Sequence, residues 1–212
     1  MNRSRLIGGI AAAAAILLPL AAVAAPAASA ADTGTTSLAS VLTGGQQGFD
    51  QDFKDYDILT AAVLAVLKAK PDSAVKVLAD GTTALTAFIP NDKAFMNLAS
   101  ALTKKKVTTE AAAFKAVAGL GIPAVEKVLE YHVVPGSTIL SGDALKANGA
   151  KLKTALPGKT IGVKVVASPA SITLVDYNRH LANPKVILSQ VDINKGNKQV
   201  AHGIDAVLMP TK

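Results

Sequence analysis

The chain has 212 residues, half of them hydrophobic, with a formal charge of +7 and no cysteine. The missing thiols exclude disulfide staples, thiolate metal sites and a thiol-linked lipid anchor. Arg3, Arg5 and Arg179 are the only arginines, which argues against nucleic acid as a partner, because sequence readers lean on arginine forks for bidentate contacts.

Arg3 and Arg5 precede an unbroken apolar run over 10–20, and small residues close the segment at Ala28-Ser29-Ala30. This is the pattern of a signal peptide over 1–30 with cleavage after Ala30. A membrane anchor fits less well: Pro19 and Pro26 interrupt the stretch, alanine dominates it, and no basic stop-transfer flank follows. Removing the leader lowers 22 basic residues to 20 against 15 acidic ones, a formal charge of +5. A mildly basic surface of lysines suits weak attraction to an anionic wall or polysaccharide. The remaining stretch of about 180 residues can bury a core without disulfides. No internal repeat is visible. One domain over 50–212 is therefore expected, preceded by a flexible, Thr/Ser/Gly-rich arm over 31–49 with a small apolar patch at Leu38, Val41 and Leu42.

From Asp57 the spacing predicts a helix, with Ile58, Leu59, Ala62, Val63, Val66 and Leu67 on one stripe until Pro71. A second short helix is expected over 71–78, and Asp80-Gly81 turns into a strand over 85–89. That strand is apolar on both faces apart from Thr86, and Pro90 ends its ladder. Asn91 or Asp92 can cap the next helix, whose Phe95, Leu98, Ala99 and Leu102 share a face. An alanine-rich helix follows from Thr109 to the glycines at 119 and 121, and Pro123 opens another, with Val125, Val128, Leu129 and His132 on one side. Strands are expected over 161–166, 172–175, 186–193 and 200–209. Helices early and strands late argue for an α+β domain.

Three histidines bear on enzyme chemistry. His132 lies on an apolar stripe and His202 alternates with Val200 and Ile204, so both read as core histidines bonded through a ring nitrogen. His180 sits in the polar loop 177–184 beside Arg179. Tyr177, Arg179 and His180 therefore form the candidate interaction set, offering aromatic, bidentate and titratable contacts; the plain alternative is an ordinary strand connection. No Gly-x-Ser-x-Gly elbow occurs, and Gly158-Lys159-Thr160 lacks the first glycine of a phosphate loop. Asp50, Asp52, Asp55 and Asp57 lack the glycine and terminal glutamate of a calcium loop and read as a solvated helix start. No catalytic residue, metal or cofactor is expected.

Three blocks carry a resemblance: Leu85-Thr-Ala-Phe-Ile-Pro-Asn-Asp-Lys-Ala-Phe95, Tyr131-His-Val-Val-Pro-Gly136 and Val200-Ala-His-Gly-Ile-Asp-Ala-Val-Leu-Met-Pro210. In order and spacing they resemble the signatures of the fasciclin (FAS1) domain family. Departures are Ile89, Asn91, Lys198-Gln199 and Gly203, the last expected to mark a bulge or a close backbone contact. The resemblance implies a wedge of two β-sheets with N-terminal and central helices packed against it, and a secreted, non-catalytic module of cell adhesion with an extracellular or cell-surface protein or polysaccharide as partner. It also implies that Tyr131, His132, His202 and Asp205 are family-motif residues, which the residue pattern reads as structural. In some animal members the Tyr-His segment and an Asp-Ile type segment are implicated in integrin binding; here these map to Tyr131, His132 and the reversed Ile204-Asp205. The alanine-rich leader looks bacterial, which weakens that carry-over. The alternative is a carrier of an apolar ligand such as a carotenoid or haem, which the low aromatic content of 4% disfavours.

Overall fold

The structure is a computed structural model describing residues 33–45 and 48–211; the expected signal peptide lies outside these residues. The described chain forms α1 (Leu38–Gly44), α2 (Asp57–Ala69), a 3-10 helix (Ala74–Ala79), β1 (Leu85–Pro90), α3 (Asp92–Thr103), α4 (Glu110–Ala118), α5 (Ile122–Tyr131), β2 (Val133–Pro135), α6 (Ser141–Ala144), β3 (Lys151–Lys153), β4 (Thr160–Ala167), β5 (Ala170–Val175) and β6 (Gln199–Ile204). One sheet runs β2-β1-β6 and the other β3-β4-β5. This is the α+β arrangement expected.

β1 is the middle strand of its sheet, antiparallel to β2 and parallel to β6, with Phe88 opposite His202. Every residue of β1 and β6 is buried, which a strand can tolerate only when both sheet faces are covered. Two apolar clusters provide the cover. Leu85, Ala87 and Ile89 face a helical core containing Leu38, Ile58, Val66, Phe95 and Leu129. Phe88, on the opposite face, joins Tyr131, Ile161, Ile172, Leu174, Ile204 and Leu208 between the sheets. The period-two alternation of a strand thus sends one sequence into two cores.

The helix starts follow the capping chemistry. Asn91, Thr109 and Ser37 each accept a backbone N–H from the first turn of their own helices. Gly121 takes a positive φ of 83° ahead of Pro123. α2 has no side-chain cap of its own. The Asp92 carboxylate caps it from α3, accepting the N–H of Asp57 at 3.1 Å and of Ile58 at 2.9 Å.

Several expectations need correction. The helix expected over 71–78 is the tighter 3-10 turn at Ala74–Ala79. Residues 186–193 make single bridges, Val186 to Ile204 and Ile193 to Ala201, instead of a strand. The ladder is broken where Gln190 bonds back to Ile187 and where Asp192 and Asn194 take positive φ of 57° and 68°. β6 stops at Ile204 because Asp205 turns away, exchanging bonds with the backbone of Lys185. Gly203 marks a close contact: a Cβ there would lie 2.5 Å from Tyr56 Oη and 2.8 Å from Gln190 Cβ.

The described part of the expected arm is built into the domain. Gly34 N–H donates to Gly196 and its carbonyl accepts from Lys198. The Gln199 side chain accepts from Leu38 N–H at 2.8 Å and donates to the carbonyls of Val77 and Asp80, both at 2.7 Å. A Cβ on Gly81 would sit 1.7 Å from the Thr35 carbonyl oxygen, so only glycine allows this approach. Leu38 itself is 0% exposed. Leu38→Ala should therefore cost about 2–5 kcal/mol in urea unfolding. A loss within about 0.5 kcal/mol is what a loose arm would give.

Candidate functional site

The Tyr-His segment lies at the end of α5, where the two cores meet. Tyr131 is 0% exposed and its hydroxyl donates to the Thr160 carbonyl at 2.9 Å, fastening α5 to the second sheet. His132 is 4% exposed and caps α5. Its Nε2 accepts the Leu208 N–H at 3.0 Å, so Nδ1 carries the proton and donates to the Val128 carbonyl at 2.7 Å. Neither residue presents a surface to a partner such as an integrin. His202 is also buried; Nδ1 accepts from Asp192 N–H at 3.3 Å and Nε2 donates to the Ile139 carbonyl at 2.8 Å. Burial lowers the pKa of both imidazoles, that of His132 to about 4.

The loop 176–185 is held by its own polar side chains. Asp176 accepts from Asn178 N–H and Met209 N–H, Asn178 Oδ1 accepts from His180 and Leu181, and Asn183 Oδ1 accepts from Asp176 N–H. Tyr177 is half-buried, its ring 6.2 Å from that of Tyr131 and 4.2 Å beneath the Lys159 ammonium. Arg179 and His180 are exposed. The candidate set is therefore split: Tyr177 anchors the loop, while Arg179 and His180 face solvent. Leu181, Asn183 and Lys185, together with Asn97 and Leu98 of α3 and the exposed Asp205, line a groove of about 350 Å³. Sequence spacing gave no sign of this groove, because its walls come from three distant segments. The interior apolar cavities beside α2 and α5 and beneath β1 measure only about 20 Å³ each, near the space of one water, and neither could enclose a carotenoid or haem.

A second constellation overturns the expectation of a solvated acidic helix start. Asp50 and Asp52 are exposed, but Asp57 is 2% exposed, and Asp92 and Glu110 are 0% and 1% exposed. Asp57, Asp92 and Glu110 are the first residues of α2, α3 and α4, so three positive helix ends converge on them. Asp92 N–H donates to the Asp55 carbonyl, Lys93 N–H to that of Phe53, and Asp50 N–H to Glu110 Oε2 at 2.7 Å. Burial, then the neighbouring Asp55 carboxyl, pushes the Asp92 pKa up to about 8, against the pull of its two amide donors. Burial also raises Glu110. Tyr56 rises to about 12, through burial and the charges of Asp92 and Asp55. These are the described residues best suited to hold a cation.

Two three-stranded sheets, a helical core against one of them and a Tyr-His junction between the two cores make up an α+β domain. The fasciclin domain family model matches residues 59–210, and the chain belongs to that family. Among solved structures, a FAS1 domain pair from the insect cell adhesion molecule fasciclin I superposes with a TM-score of 0.54 at 16% identity, covering 82% of this chain and 51% of that one. That likeness is one of fold, and the chain spans about half of the solved pair. No curated protein matches the chain. No helix among the described residues is long and apolar enough to cross a membrane.

The buried His132 makes stability pH-dependent in a defined direction. Its folded pKa lies below its unfolded value of 6.5, so the unfolded chain binds more protons between the two values. The contribution of the group is complete above the unfolded pKa and is lost as pH falls through the folded one. Acidification from about pH 7.5 to pH 4 should remove about 3 kcal/mol through this group. His132→Gln should show a correspondingly shallower acid dependence in denaturant titrations at each pH, and equal slopes would refute the assignment.

Proposed function

We propose that the chain is a secreted, non-catalytic fasciclin-like module that attaches to an extracellular or cell-surface protein or polysaccharide. The carrying observation is the fasciclin match over 59–210, joined to a fold in which the family-motif side chains of Tyr131, His132 and His202 are consumed in holding the two cores together, while Asp205 alone of that set is exposed. With Tyr131, His132 and His202 buried, recognition falls to the exposed loop. Arg179 supplies a planar five-donor fork for carboxylate or sugar oxygens, and His180 a titratable imidazole. Asn178 and Asn183 hold the loop backbone in place behind them, which limits the entropy lost on binding. The groove alongside gives a partner apolar contact at Leu181 and Leu98 and a carboxylate at Asp205. This surface combines a pre-set loop, a cation and a shallow recess, as an attachment face requires.

Arg179→Ala/His180→Ala should leave far-UV circular dichroism and urea stability unchanged, because both side chains are exposed. Attachment of the purified protein to intact cell surfaces or wall polymers should fall by about tenfold or more. Undiminished attachment by the folded double variant would move the binding face elsewhere.

A further inference from the structure

We propose that Asp55, Asp92 and Glu110 form a calcium-binding site at the convergence of α2, α3 and α4. One carboxylate oxygen from each lies within 4.8 Å of the others. Ligands at about 2.3–2.6 Å from Ca²⁺ stand at most about 5 Å apart across the ion, so the three oxygens fit one coordination sphere. A second group, Asp50, Asp55 and Asp57, meets the same criterion and shares Asp55, placing two further carboxylates on the flank. The donors are all oxygen, which selects a hard cation over zinc or copper.

An acidic cluster alone would not warrant a site, because helix ends tolerate carboxylates. Glu110 supplies the second observation. It is 1% exposed; Oε2 accepts the Asp50 N–H, and Oε1 meets no hydrogen-bond donor at all. Asp55 shares a side-chain hydrogen bond with Asp92, so the unpartnered oxygen of the cluster is that of Glu110. No ion pair among the described residues joins Asp55, Asp92 or Glu110 to a lysine, arginine or histidine. A buried carboxylate oxygen without donor or counter-charge is costly, and a bound cation removes that cost at Glu110 while gathering the Asp55–Asp92 pair into the same sphere. Because the ligands come from the 50–57 loop and from the first residues of α3 and α4, the ion would brace three segments together. α3 also contributes Asn97 and Leu98 to the lining of the groove beside loop 176–185, so occupancy would stiffen that part of it.

Protein stripped of metal by chelator is titrated with Ca²⁺ and followed by thermal unfolding and calorimetry. At calcium about a hundredfold above Kd, Tm should rise by about 5 °C or more. Tb³⁺ gives a local readout. The chain has no tryptophan, and Tyr56 lies between Asp55 and Asp57, so Tyr-sensitised Tb³⁺ emission should appear, be displaced by Ca²⁺ and vanish in Tyr56→Phe, while the calcium shift in Tm persists. Glu110→Gln keeps an acceptor for Asp50 N–H and should lose most of the shift; Asp55→Asn serves if that variant fails to fold. The proposal is overturned if wild-type protein shows neither heat nor a Tm shift at millimolar Ca²⁺. It is equally overturned by an undiminished shift in folded Glu110→Gln, or by Mg²⁺ acting as well as Ca²⁺. Each result is independent of attachment, so it stands apart from the test of Arg179 and His180.

Discussion

The parallel pairing of β1 with β6 is the constraint from which the rest follows. Six registered positions, Leu85 with Gln199 through Pro90 with Ile204, are buried on both faces, so each polar group near the pair needs a partner inside the protein. Gln199 answers by bonding α1 and the turn before β1 at once. His202 spans β6 to the Ile139 carbonyl, and His132 receives the Leu208 amide just beyond the strand. The buried polar residues are thus the fasteners of a sheet that water does not reach, and each is worth more there than at a surface.

This division of labour explains why Tyr131, His132 and His202 are separate from the candidate contact surface, to which Asp205 alone of the family-motif residues contributes. A histidine with both ring nitrogens engaged and no solvent path has no free donor to offer a partner. The loop 176–185, by contrast, satisfies its own backbone with Asp176, Asn178 and Asn183, leaving Arg179 and His180 uncommitted. Tyr177 falls between these roles, one side against Tyr131 and the other under Lys159.

What could be read from the sequence was local. The strand before Pro90, the Asn91 cap, the start at Thr109 and the Gly121-Pro123 entry to α5 all depend on neighbours a few positions away, and spacing reveals them. The burial of His132 and His202 was legible for the same reason, since each shares a stripe with apolar residues. Long-range partnership was not legible. Nothing near Leu38 announces Gln199, nothing near Asp57 announces that Asp92 will cap its helix, and Glu110 looks like an ordinary acidic first-turn residue until two other helix starts are brought to it. The strand expected over 186–193 failed because Asp192 and Asn194 adopt positive φ to serve contacts made elsewhere. The groove was invisible because three separate segments build it.

The central strand lacks one of its two neighbours until the chain has been made as far as Ile204, and Leu208 supplies the amide that His132 needs. Closing a contact across so much sequence is slow compared with forming the helices between. The helices can therefore form early while the sheet that binds them waits for β6. The order of the strands thus makes both cores depend on one distant segment, since β1 contributes side chains to each and is flanked on both sides only when β6 arrives.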